Sequence, residues 1–504
     1  MISLRSLPRV CVALGDPSAE VMERLALKGL EQGQRFFELR LDMLQEPAVG
    51  IDLLRRLSQI RPRPTLLATC RRREARGEYD GTIEEQNVLL LAAAAAGAQL
   101  VDVEIETAEP APEVVERLRQ DARVVLSFHD FDGCPDLEAA LERLRKAPAD
   151  IYKLAVTARR PTDILRLLEL LDRHPDTPLA LMAMGEIGAP SRVLTAAWGG
   201  KFSFAAPDGA AGTAPGQLTA TTVRDLYQLA RRTRRSKVYG VIADPVAHSL
   251  SPQLHNRALR RKRMDACYFP FRVSADQLDD FFELAEGLPI EGFSVTIPHK
   301  EAVLSRLAGV DPLAQRIGAV NTVYRKDGKL WGANTDVVGV VVPLEKRLKL
   351  AGARVLVAGT GGAARAAVFA LADRGATVVL AGRNPVKTKA LADEAGVGAA
   401  TLEQVATASF DALVHTTPVG MSPNIQQSLF PNRIPADLVF DMVYNPLETA
   451  LLRRAAGQGK QTIEGLEMFL EQAAAQFELW TGARAPRTTM RNAVLEVLQG
   501  GPTV

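Results

Sequence analysis

The sequence predicts an α/β protein in which a closed barrel of eight β/α units precedes two smaller α/β lobes. Three observations support this fold class. Strand-like runs alternate with helix-like stretches through the first 220 residues or so, the alternation restarts near residue 237, and a glycine-rich turn follows a late apolar run. Such alternation implies parallel strands joined by right-handed crossovers, and eight of these units close into a barrel.

Eight β-type runs predict the barrel strands. They are RVCVAL from Arg9, FFELRLD from Phe36, PTLLATC from Pro64, LVDVEIE from Leu100, RVVLSFHD from Arg123, IYKLAV from Ile151, PLALMAMG from Pro178 and KFSFAAP from Lys201. Helix-type stretches such as EVVERLRQ and DILRLLELLDRH lie between them. We therefore assign residues 1–230 to one (β/α)8 TIM barrel.

The pattern restarts after the basic segment LARRTRRSKV (residues 229–238), which we expect to be a solvated helix end leading into a linker. In the following lobe, AVNTVYRKDGKLWGANTD predicts a hairpin that turns at Lys326-Asp327-Gly328. We assign residues 237–340 to a substrate-binding lobe. Residues 341–504 are assigned to a Rossmann lobe whose last helices pack back on the substrate-binding lobe.

The composition is that of an ordinary globular protein. Of 504 residues, 47% are hydrophobic and 24% are charged, and 61 basic against 59 acidic residues give a net charge of +2. This balance gives no electrostatic basis for binding nucleic acid or an anionic membrane. The four cysteines are dispersed and lack metal-binding spacing, and the sequence shows no signal-peptide pattern. Both observations suit a reducing compartment. We expect a cytoplasmic enzyme without metal, and the sequence does not predict its oligomeric state.

Charged residues alternate with apolar ones on two predicted barrel strands. Glu38 and Arg40 share one face of FFELRLD, and Asp102 and Glu104 share one face of LVDVEIE. The apolar faces should pack against the helices, so the charged faces point into the barrel. Because barrel active sites form at the carboxyl ends of the strands, these residues are catalytic candidates. A ring of structural ion pairs is the alternative interpretation.

A lysine and a histidine on the next strands sharpen this interpretation. Lys153 lies in the apolar run IYKLAV, where a desolvated amine can attack a carbonyl and form an imine. His129, near the end of RVVLSFHD, can carry a proton near neutral pH. Arg40, Arg71 and Arg192 at strand ends can each grip a carboxylate. Alternatively, Lys153 forms only an ion pair with Glu104, and His129 has only a structural role. PDGAAGTAPGQ is expected to be a mobile closing loop.

The first 220 residues resemble the type I 3-dehydroquinate dehydratases. The resemblance rests on ELR at Glu38–Arg40, TCR, DVE, SFHDF, the strand lysine, AMG, SR and APGQ, in matching order and spacing. It implies that Lys153 forms an imine with the substrate ketone and that His129, oriented by Glu104, moves the proton. It also implies that the substrate hydroxyls and carboxylate are held by Glu38, Arg40, Arg71, Arg192, Thr213 and Gln217. Two positions depart from the family: Thr213 replaces a serine, and RRREARGEYDG lacks a Glu-Gly-Gly run.

A glycine-rich turn in the last lobe predicts a dinucleotide site. Gly359, Gly361, Gly362 and Ala363 follow the apolar run RVLVA and open a helix, where backbone N–H groups can meet a pyrophosphate. A simple tight turn is the alternative. The next strand ends in Arg383, where an NAD site would place an acid. An arginine there suits a 2′-phosphate, so the predicted cofactor is NADP.

A lysine and an aspartate upstream of this turn predict a proton-transfer pair. Lys300 ends GFSVTIPHK and Asp336 ends GANTD, and together they can protonate or deprotonate an alcohol while hydride moves. A surface ion pair is the alternative. The neighbouring Asn321 and the dinucleotide lobe favour the catalytic interpretation.

Residues 237–504 resemble the shikimate dehydrogenases through HSLSP, VTIPHK, GAVNT, GANTD, GTGGAARA, GM, DMVYNPLET and the 465–472 stretch. The resemblance implies that Lys300 and Asp336 are catalytic. It implies substrate contacts from Ser249, Ser251, Thr296, Asn321, Tyr444 and Gln472. It implies cofactor contacts from Arg383, Asn384, Lys387, Thr417, Met442, Gly465 and Met468. Two positions depart from most members: Ser294 and His415 each replace an asparagine.

Together the two resemblances predict a bifunctional enzyme. The barrel dehydrates 3-dehydroquinate to 3-dehydroshikimate, and the second half reduces that product to shikimate with NADPH. A regulator that senses quinate is one alternative, but it should lack part of the five catalytic residues. A quinate dehydrogenase that uses NAD is the other alternative, and Arg383 argues against it.

Overall fold

The barrel half contains eight parallel strands and nine helices in the computed structural model, which describes residues 2–288 and 290–500. The strands are β1 (Val10–Leu14), β2 (Phe36–Arg40), β3 (Thr65–Thr69), β4 (Leu100–Glu104), β5 (Arg123–Asp130), β6 (Ile151–Thr157), β7 (Leu179–Met184) and β8 (Ser203–Ala205). The helices are α1 (Ala19–Glu31), α2 (Val49–Ser58), α3 (Ile83–Ala96), α4 (Ile105–Ala108), α5 (Pro112–Asp121), α6 (Leu137–Leu144), α7 (Thr162–Arg173), α8 (Gly185–Gly188) and α9 (Ser191–Trp198).

The eight strands form one nearly closed barrel, as the sequence predicts. Their order is β7-β6-β5-β4-β3-β2-β1-β8, so each strand lies beside its sequence neighbour and β8 returns to β1. Between β7 and β8, Lys201 N donates to Leu179 O at 2.8 Å. The run KFSFAAP contributes only three residues of strand, because the chain leaves the barrel after Ala205.

Two layers of side chains fill the barrel interior. The lower layer is apolar and includes Phe36, Leu67, Leu100, Val125 and Ile151. Toward the carboxyl ends of the strands the interior becomes charged, and the residues there are buried. Inward-facing side chains alternate with helix-facing ones along each strand. The charged layer therefore lies where the βα loops can complete a site.

The second unit is a mixed six-stranded sheet with helices. Its strands are β9 (Lys237–Ala243), β10 (Ala266–Arg272), β11 (Ile290–Val295), β12 (Gly309–Val310), β13 (Thr322–Lys326) and β14 (Lys329–Ala333), in the order β10-β9-β11-β13-β14-β12. Its helices are α10 (Ser251–Arg261), α11 (Leu278–Gly287), α12 (Pro312–Ile317) and α13 (Asp336–Glu345). The predicted hairpin is confirmed: β13 pairs antiparallel with β14 through Asp327 (φ 52°) and Gly328 (φ 76°).

The third unit is a parallel six-stranded sheet. Its strands are β15 (Arg354–Ala358), β16 (Thr377–Ala381), β17 (Gly398–Ala400), β18 (Phe410–His415), β19 (Ala436–Asp441) and β20 (Gln461–Ile463), in the order β17-β16-β15-β18-β19-β20. Its helices are α14 (Gly362–Asp373), α15 (Pro385–Ala395), α16 (Leu402–Thr407), α17 (Ala450–Gly457), α18 (Gly465–Thr481) and α19 (Arg487–Leu498). The strand order reverses between β15 and β18, which is where sheets of this type bind ligands.

The last two helices lie against the second unit. Helix α19 packs on α10, and α18 packs on α13. Gly339 permits the close approach of α18, since a Cβ atom there would lie 2.8 Å from Met468 O. Trp480 on α18 donates from Nε1 to Val323 O at 2.8 Å. The chain thus crosses from the third unit back to the second.

The two halves join through buried contacts, and the basic residues of the linking segment are exposed, as predicted, except at Arg232. Tyr227 stacks on Phe269 with ring centroids 4.8 Å apart, and Cys267 Sγ donates to Tyr227 O at 3.3 Å. Arg232 of the basic segment is only 5% exposed and donates to Asp265 Oδ1 at 2.7 Å. Among the described helices, none combines the length and apolar character that crossing a membrane requires.

Candidate active sites of the two halves

A cavity opens at the carboxyl ends of the barrel strands. Its lining contains eight of the predicted site residues: Glu38, Arg40, Arg71, His129, Lys153, Arg192, Thr213 and Gln217. Six residues that the sequence reasoning missed complete it: Phe131, Ala155, Met182, Met184, Ala214 and Phe204. The cavity is therefore charged on several sides and apolar on the others, which suits a small polar anion with a hydrocarbon ring.

Lys153 on β6 is the buried amine of this cavity. Its side chain is 4% exposed, and Nζ donates to Asp102 Oδ2 at 2.8 Å. Nζ also lies 4.4 Å from the ring centroid of Phe204. Burial alone would raise the pKa of Asp102, but the ammonium of Lys153 and the guanidinium of Arg71 lower it below its ordinary value. Asp102, which the sequence places on the inward face of its strand, thus orients Lys153.

Two buried arginines of the cavity have no carboxylate partner among the described residues. Arg192 is 1% exposed; its Nη2 donates to Pro215 O at 3.1 Å, while Nε lacks a partner. Burial lowers the pKa of Arg192 to about 10. Arg71 is 7% exposed, and its Nε also lacks a partner. Buried cations are normally paired, so this pair of guanidinium groups favours an anionic ligand.

His129 on β5 contacts one of these arginines. Arg71 Nη2 lies 2.8 Å from His129 Nε2. A guanidinium only donates, so Nε2 accepts and the ring proton lies on Nδ1. Enclosure in the cavity, together with Arg71 and Lys153, lowers the pKa of His129 well below its ordinary value. The neutral ring can therefore act as a base.

The remaining predicted residues of the barrel are held by close neighbours. Glu38 Oε1 accepts from Thr69 Oγ1 at 2.7 Å, and Arg40 forms two bonds to Asp42, at 2.9 and 2.6 Å. On the loop after β8, Thr213 N donates to Gln217 Oε1 at 2.7 Å. These contacts fix the directions of two carboxylates and one amide around the cavity.

The expectation that Glu104 orients His129 is not met. Glu104 Oε1 accepts instead from Gln86 Nε2 at 2.8 Å and from Arg72 N at 3.2 Å. The other oxygen, Oε2, and His129 Nδ1 have no hydrogen-bond partner in the part of the chain that the structure describes. Burial raises the pKa of Glu104. Gln86 on α3 and the backbone after β3 therefore hold only one of the two Glu104 oxygens.

In the second half, Lys300 and Asp336 form the predicted pair. Lys300 Nζ donates to Asp336 Oδ2 at 2.6 Å, and Asn321 Nδ2 donates to Asp336 Oδ1 at 2.8 Å. Asn321 Oδ1 accepts from Thr335 N at 2.7 Å, which fixes the orientation of its amide. Asn321 Nδ2 also lies 3.4 Å from Gln472 Oε1 on α18. The side chain of Lys300 is 19% exposed and that of Asp336 is 5% exposed, so the ammonium faces the open side.

The other predicted substrate contacts lie at the start of α10, after β11 and after β19. Ser249 and Ser251 lie where α10 begins, and Ser251 N donates to Ser249 Oγ at 3.3 Å. Thr296 is half-buried after β11, and its N–H donates to Ile242 O at 3.2 Å. Tyr444 stacks on Phe469 with centroids 4.8 Å apart, and burial raises its pKa.

A buried polar chain behind these residues was missed from the sequence. The Tyr268 hydroxyl lies 2.7 Å from Ser294 Oγ, which donates to Gln476 Oε1 at 3.0 Å. Gln476 Nε2 in turn donates to Asn321 O at 3.2 Å. Gln472 and Gln476 are four residues apart on α18, and this spacing is the signal that could have revealed their common face. The departure at Ser294 is thus accommodated by a complete set of hydrogen bonds.

The glycine-rich turn connects β15 to α14. Gly359 has φ 132°, and a Cβ atom there would lie 2.2 Å from Thr416 Oγ1. Gly361 faces open space, and a Cβ atom on Gly362 would lie 3.4 Å from Lys300 Cδ. Ala363 follows in the first turn of α14. The turn therefore leaves its N–H groups accessible next to Lys300, as a bound pyrophosphate requires.

Cations for a 2′-phosphate follow β16. Arg383 and Lys387 are exposed, and among the described residues neither forms an ion pair. Asn384 caps α15, because its Oδ1 accepts from Lys387 N at 3.1 Å. Two free cations beside the glycine turn match the chemistry of NADP, which is the cofactor that this site fits.

The remaining predicted cofactor residues lie at the carboxyl ends of β18 and β19. Thr417 follows β18 and is half-buried. Met442 N donates to His415 O at 3.0 Å, and Gly465 begins α18 against Met442. Met468 lies one turn later on α18 and packs against the core of the third unit. The structure thus brings the two groups of predicted cofactor residues to opposite sides of the β15–β18 crevice.

Comparison with known proteins finds matches in both halves of the chain. Residues 10–234 match the family Type I 3-dehydroquinase. Residues 241–323 match the Shikimate dehydrogenase substrate binding domain, and residues 465–495 match the Shikimate 5'-dehydrogenase C-terminal domain. The matches are in the same order along the chain as the two candidate sites.

The "Bifunctional 3-dehydroquinate dehydratase/shikimate dehydrogenase, chloroplastic" of Arabidopsis thaliana is 35% identical over 503 residues, 95% of this chain and 83% of that protein. The "Shikimate dehydrogenase (NADP(+))" of Oleidesulfovibrio alaskensis is 40% identical over 272 residues, 53% of this chain and 97% of that protein. A crystal structure of a shikimate dehydrogenase in complex with NADP+ has 36% identity and a TM-score of 0.50, over 52% of this chain and 96% of that one. Because the first relative matches across both halves, the chain belongs to the family of bifunctional 3-dehydroquinate dehydratase/shikimate dehydrogenases.

Proposed function

We propose that the chain catalyses two consecutive reactions. The barrel dehydrates 3-dehydroquinate to 3-dehydroshikimate, and the second half reduces 3-dehydroshikimate to shikimate with NADPH. The single observation that supports this most strongly is a buried amine, Lys153, in a cavity with two guanidinium groups that lack carboxylate partners. A substrate that carries both a ketone and a carboxylate satisfies all three groups.

In the barrel, Lys153 is the nucleophile. Its amine attacks the ketone carbon after losing a proton, and water leaves as the protonated imine forms. The positive imine withdraws electrons, so His129 can remove a proton from the neighbouring carbon. His129 then returns this proton to the departing β-hydroxyl, which leaves as water. Hydrolysis of the imine releases the product and restores Lys153.

The guanidinium groups position the substrate for these steps. Arg192 and Arg71 bind the carboxylate, which removes the cost of burying two unpaired cations. When the carboxylate engages Arg71, His129 Nε2 loses its present donor and becomes free to take a proton. Glu38, Arg40, Thr213 and Gln217 bind the hydroxyls, and Asp102 holds Lys153 toward the ketone.

In the second half, NADP supplies hydride transfer to or from the substrate carbon that carries the oxygen. Lys300 donates a proton to the substrate oxygen as the ketone becomes an alcohol. Asp336 accepts hydrogen bonds from Lys300 and Asn321, which keeps the ammonium oriented and charged. The substrate hydroxyls and carboxylate are bound by Ser249, Ser251, Thr296, Tyr444 and Gln472.

The pyrophosphate of NADP would be bound by the glycine-rich turn, at Gly359, Gly361, Gly362 and Ala363. Its 2′-phosphate would be bound by Arg383, Asn384 and Lys387. Thr417, Met442, Gly465 and Met468 line the opposite end of the crevice. Two exposed cations and no acid at the end of β16 support NADP over NAD.

We also propose that residues 1–230, 237–340 and 341–504 are the three domains, which the three separate sheets support. A cytoplasmic location is proposed on the basis that all four cysteines are free thiols.

The test mixes the full chain with 3-dehydroquinate and NADPH and follows enone absorbance and NADPH oxidation together. We expect NADPH loss that depends on 3-dehydroquinate and ends in shikimate. Enone accumulation without NADPH loss would contradict the assignment of the second half. Folded protein that changes neither signal would contradict both assignments and favour a regulator that senses quinate.

A further inference from the structure

His415, the residue that departs from the family asparagine, lies at the end of β18 between two polar side chains. It is 0% exposed. Its Nδ1 lies 2.9 Å from Asp441 Oδ1, and its Nε2 lies 2.5 Å from Thr417 Oγ1. Asp441 is 0% exposed and also accepts from Thr449 Oγ1 at 2.6 Å. A continuous chain of hydrogen bonds therefore runs from the core of the third unit to Thr417.

The direction of each hydrogen bond follows from Asp441. A carboxylate only accepts, so His415 Nδ1 carries the proton of that bond. Val443 N donates to the same carboxylate at 3.0 Å, as does Thr449, so Asp441 is stabilised without a second buried charge. With the ring proton on Nδ1, Nε2 accepts, and the Thr417 hydroxyl donates to it.

This arrangement leaves one acceptor position on Thr417. A hydroxyl has one donor and two lone pairs. The donor is used on His415, and Val419 N donates to Thr417 Oγ1 at 3.3 Å, which uses one lone pair. One lone pair therefore remains on a side chain that is half-buried rather than enclosed. Without His415, the hydroxyl could rotate and present either a donor or an acceptor.

Thr417 lies in the crevice where the strand order reverses. A Cβ atom on Gly359 would lie 3.2 Å from Thr417 Cγ2, so the first glycine of the β15 turn and Thr417 face each other. Arg383 follows β16, on the other side of β15. A dinucleotide with its 2′-phosphate at Arg383 extends across the turn toward Thr417, which then meets the nicotinamide half.

We propose that His415 is a positioning residue that holds the Thr417 hydroxyl as a fixed acceptor for the nicotinamide half of NADP. That half offers hydroxyl and amide N–H donors, and the remaining lone pair of Thr417 suits either. This inference rests on the proposed NADP-dependent function, and it assigns a specific task to the residue that replaces asparagine.

The first test measures binding, without turnover, to the full chain. The affinities of NADP+ and of 2′,5′-ADP, which lacks the nicotinamide half, are compared by calorimetry for wild type, Thr417→Val and Thr417→Ser. We expect Thr417→Val to weaken NADP+ binding about fivefold, the effect of one hydrogen bond. We expect 2′,5′-ADP to bind all three proteins equally, and Thr417→Ser to bind NADP+ like wild type. Equal weakening of both ligands would overturn the proposal.

The second test separates the two nitrogens of His415. In His415→Gln the side chain reaches the level of Nε2 and can still accept from Thr417. In His415→Asn it reaches only the level of Nδ1 and can still donate to Asp441. We expect His415→Gln to bind NADP+ more tightly than His415→Asn, with equal binding of 2′,5′-ADP.

The outcomes distinguish the inference from the function on which it rests. If wild type binds neither ligand, the proposed cofactor is wrong and the inference falls with it. If wild type binds both and His415→Asn binds NADP+ as well as wild type does, only the positioning role is wrong. Binding of 2′,5′-ADP by each variant shows that the third unit is folded.

Discussion

At the scale of single residues, the barrel site depends on charges that are buried before any ligand arrives. Lys153 has Asp102 as a counter-ion, whereas Arg192 and Arg71 have no carboxylate within hydrogen-bonding reach among the described residues. Burying an unpaired cation is unfavourable in free energy, and a bound carboxylate offsets this cost by pairing with the cation. The site is therefore poorly solvated on its own and complementary to an anion.

The nucleophile prediction concerns Lys153→Arg. This variant keeps a positive charge next to Asp102 but cannot form an imine. We expect dehydration to fall by more than about a thousandfold, while shikimate oxidation with NADP+ stays near the wild-type rate. Borohydride with 3-dehydroquinate should add the reduced substrate to the mass of wild type but not to that of Lys153→Arg. Comparable dehydration by both proteins would contradict the imine.

The anion prediction concerns Arg192→Met, which removes the charge and keeps much of the length. We expect the KM for 3-dehydroquinate to rise roughly a hundredfold, because a charge-assisted contact to the carboxylate is lost. The unfolding temperature should be at least that of wild type, since a buried unpaired guanidinium is removed. Arg117→Met, at an exposed arginine of α5, is the control and should change neither value. A large loss of stability with unchanged KM would assign Arg192 to the fold.

Eight of the nine predicted barrel residues line one cavity, and Glu104 is not part of that lining. Period-two alternation shows that Asp102 and Glu104 share a face, but it does not show which carboxylate reaches Lys153. Strand register places Glu104, Ser127 and Lys153 level across β4, β5 and β6, yet Asp102, two residues earlier on β4, accepts from Ser127 Oγ at 2.6 Å and from Lys153 Nζ at 2.8 Å. The position of a side chain relative to those on neighbouring strands results from packing of the whole barrel, and the sequence of one strand does not determine it.

At the scale of secondary-structure elements, the prediction was accurate where local patterns are strong. Eight strands, the hairpin at Asp327-Gly328 and the glycine turn before α14 all occur where the sequence indicates. The packing of α18 against α13 could not be predicted from local patterns, because it depends on Gly339 lying opposite Met468. Such pairings join residues more than a hundred positions apart, and only tertiary structure shows them.

The element-scale prediction concerns His255 on α10. Its ring stacks on Tyr268 of β10, with centroids 4.5 Å apart, and lies 5.1 Å from that of Trp480 on α18. Burial lowers the pKa of His255 to about 3. An unfolded histidine titrates near about pH 6.5, so below that pH the unfolded chain takes up a proton and the folded chain does not. The contribution of His255 is therefore full above pH 6.5 and is lost as the pH falls toward 3.

We expect this one group to cost about 2–3 kcal/mol of stability between about pH 6.5 and 4.5. The measurement is calorimetric unfolding of wild type and His255→Phe, in the transition that NADP+ shifts upward. His255→Phe should lose less stability over that range, because phenylalanine keeps the stack and does not titrate. His248→Gln, at an exposed histidine of the same half, should behave like wild type. Identical acid sensitivity of His255→Phe and wild type would contradict the assignment.

At the scale of the whole molecule, the two halves share buried contacts but have separate candidate active sites. Four arginines in ten residues are typical of a solvated segment, and Arg231, Arg234 and Arg235 are exposed. Arg232 is nevertheless buried, since Asp265 and the carbonyl of Tyr227 satisfy its guanidinium. Those partners come from a turn before β10 and from the end of the barrel. The charge pattern of the segment alone could not reveal them.

The whole-molecule prediction follows from this separation of sites. Lys153 lies in the barrel sheet, and Asp336 begins α13 beside another sheet, so each substitution should disable one reaction and spare the other. Neither Lys153→Arg nor Asp336→Asn alone should convert 3-dehydroquinate to shikimate. A mixture of the two variants should, because 3-dehydroshikimate released by Asp336→Asn can be reduced by Lys153→Arg.

The measurement follows NADPH oxidation after 3-dehydroquinate is added to each variant and to the mixture. We expect a lag in the mixture, while 3-dehydroshikimate accumulates in solution, and then a rate that rises with the concentration of Lys153→Arg. Wild type at the same total concentration is the control. If the mixture shows no lag, or if its rate does not depend on the concentration of Lys153→Arg, then exchange of the intermediate through solution between separate sites is excluded.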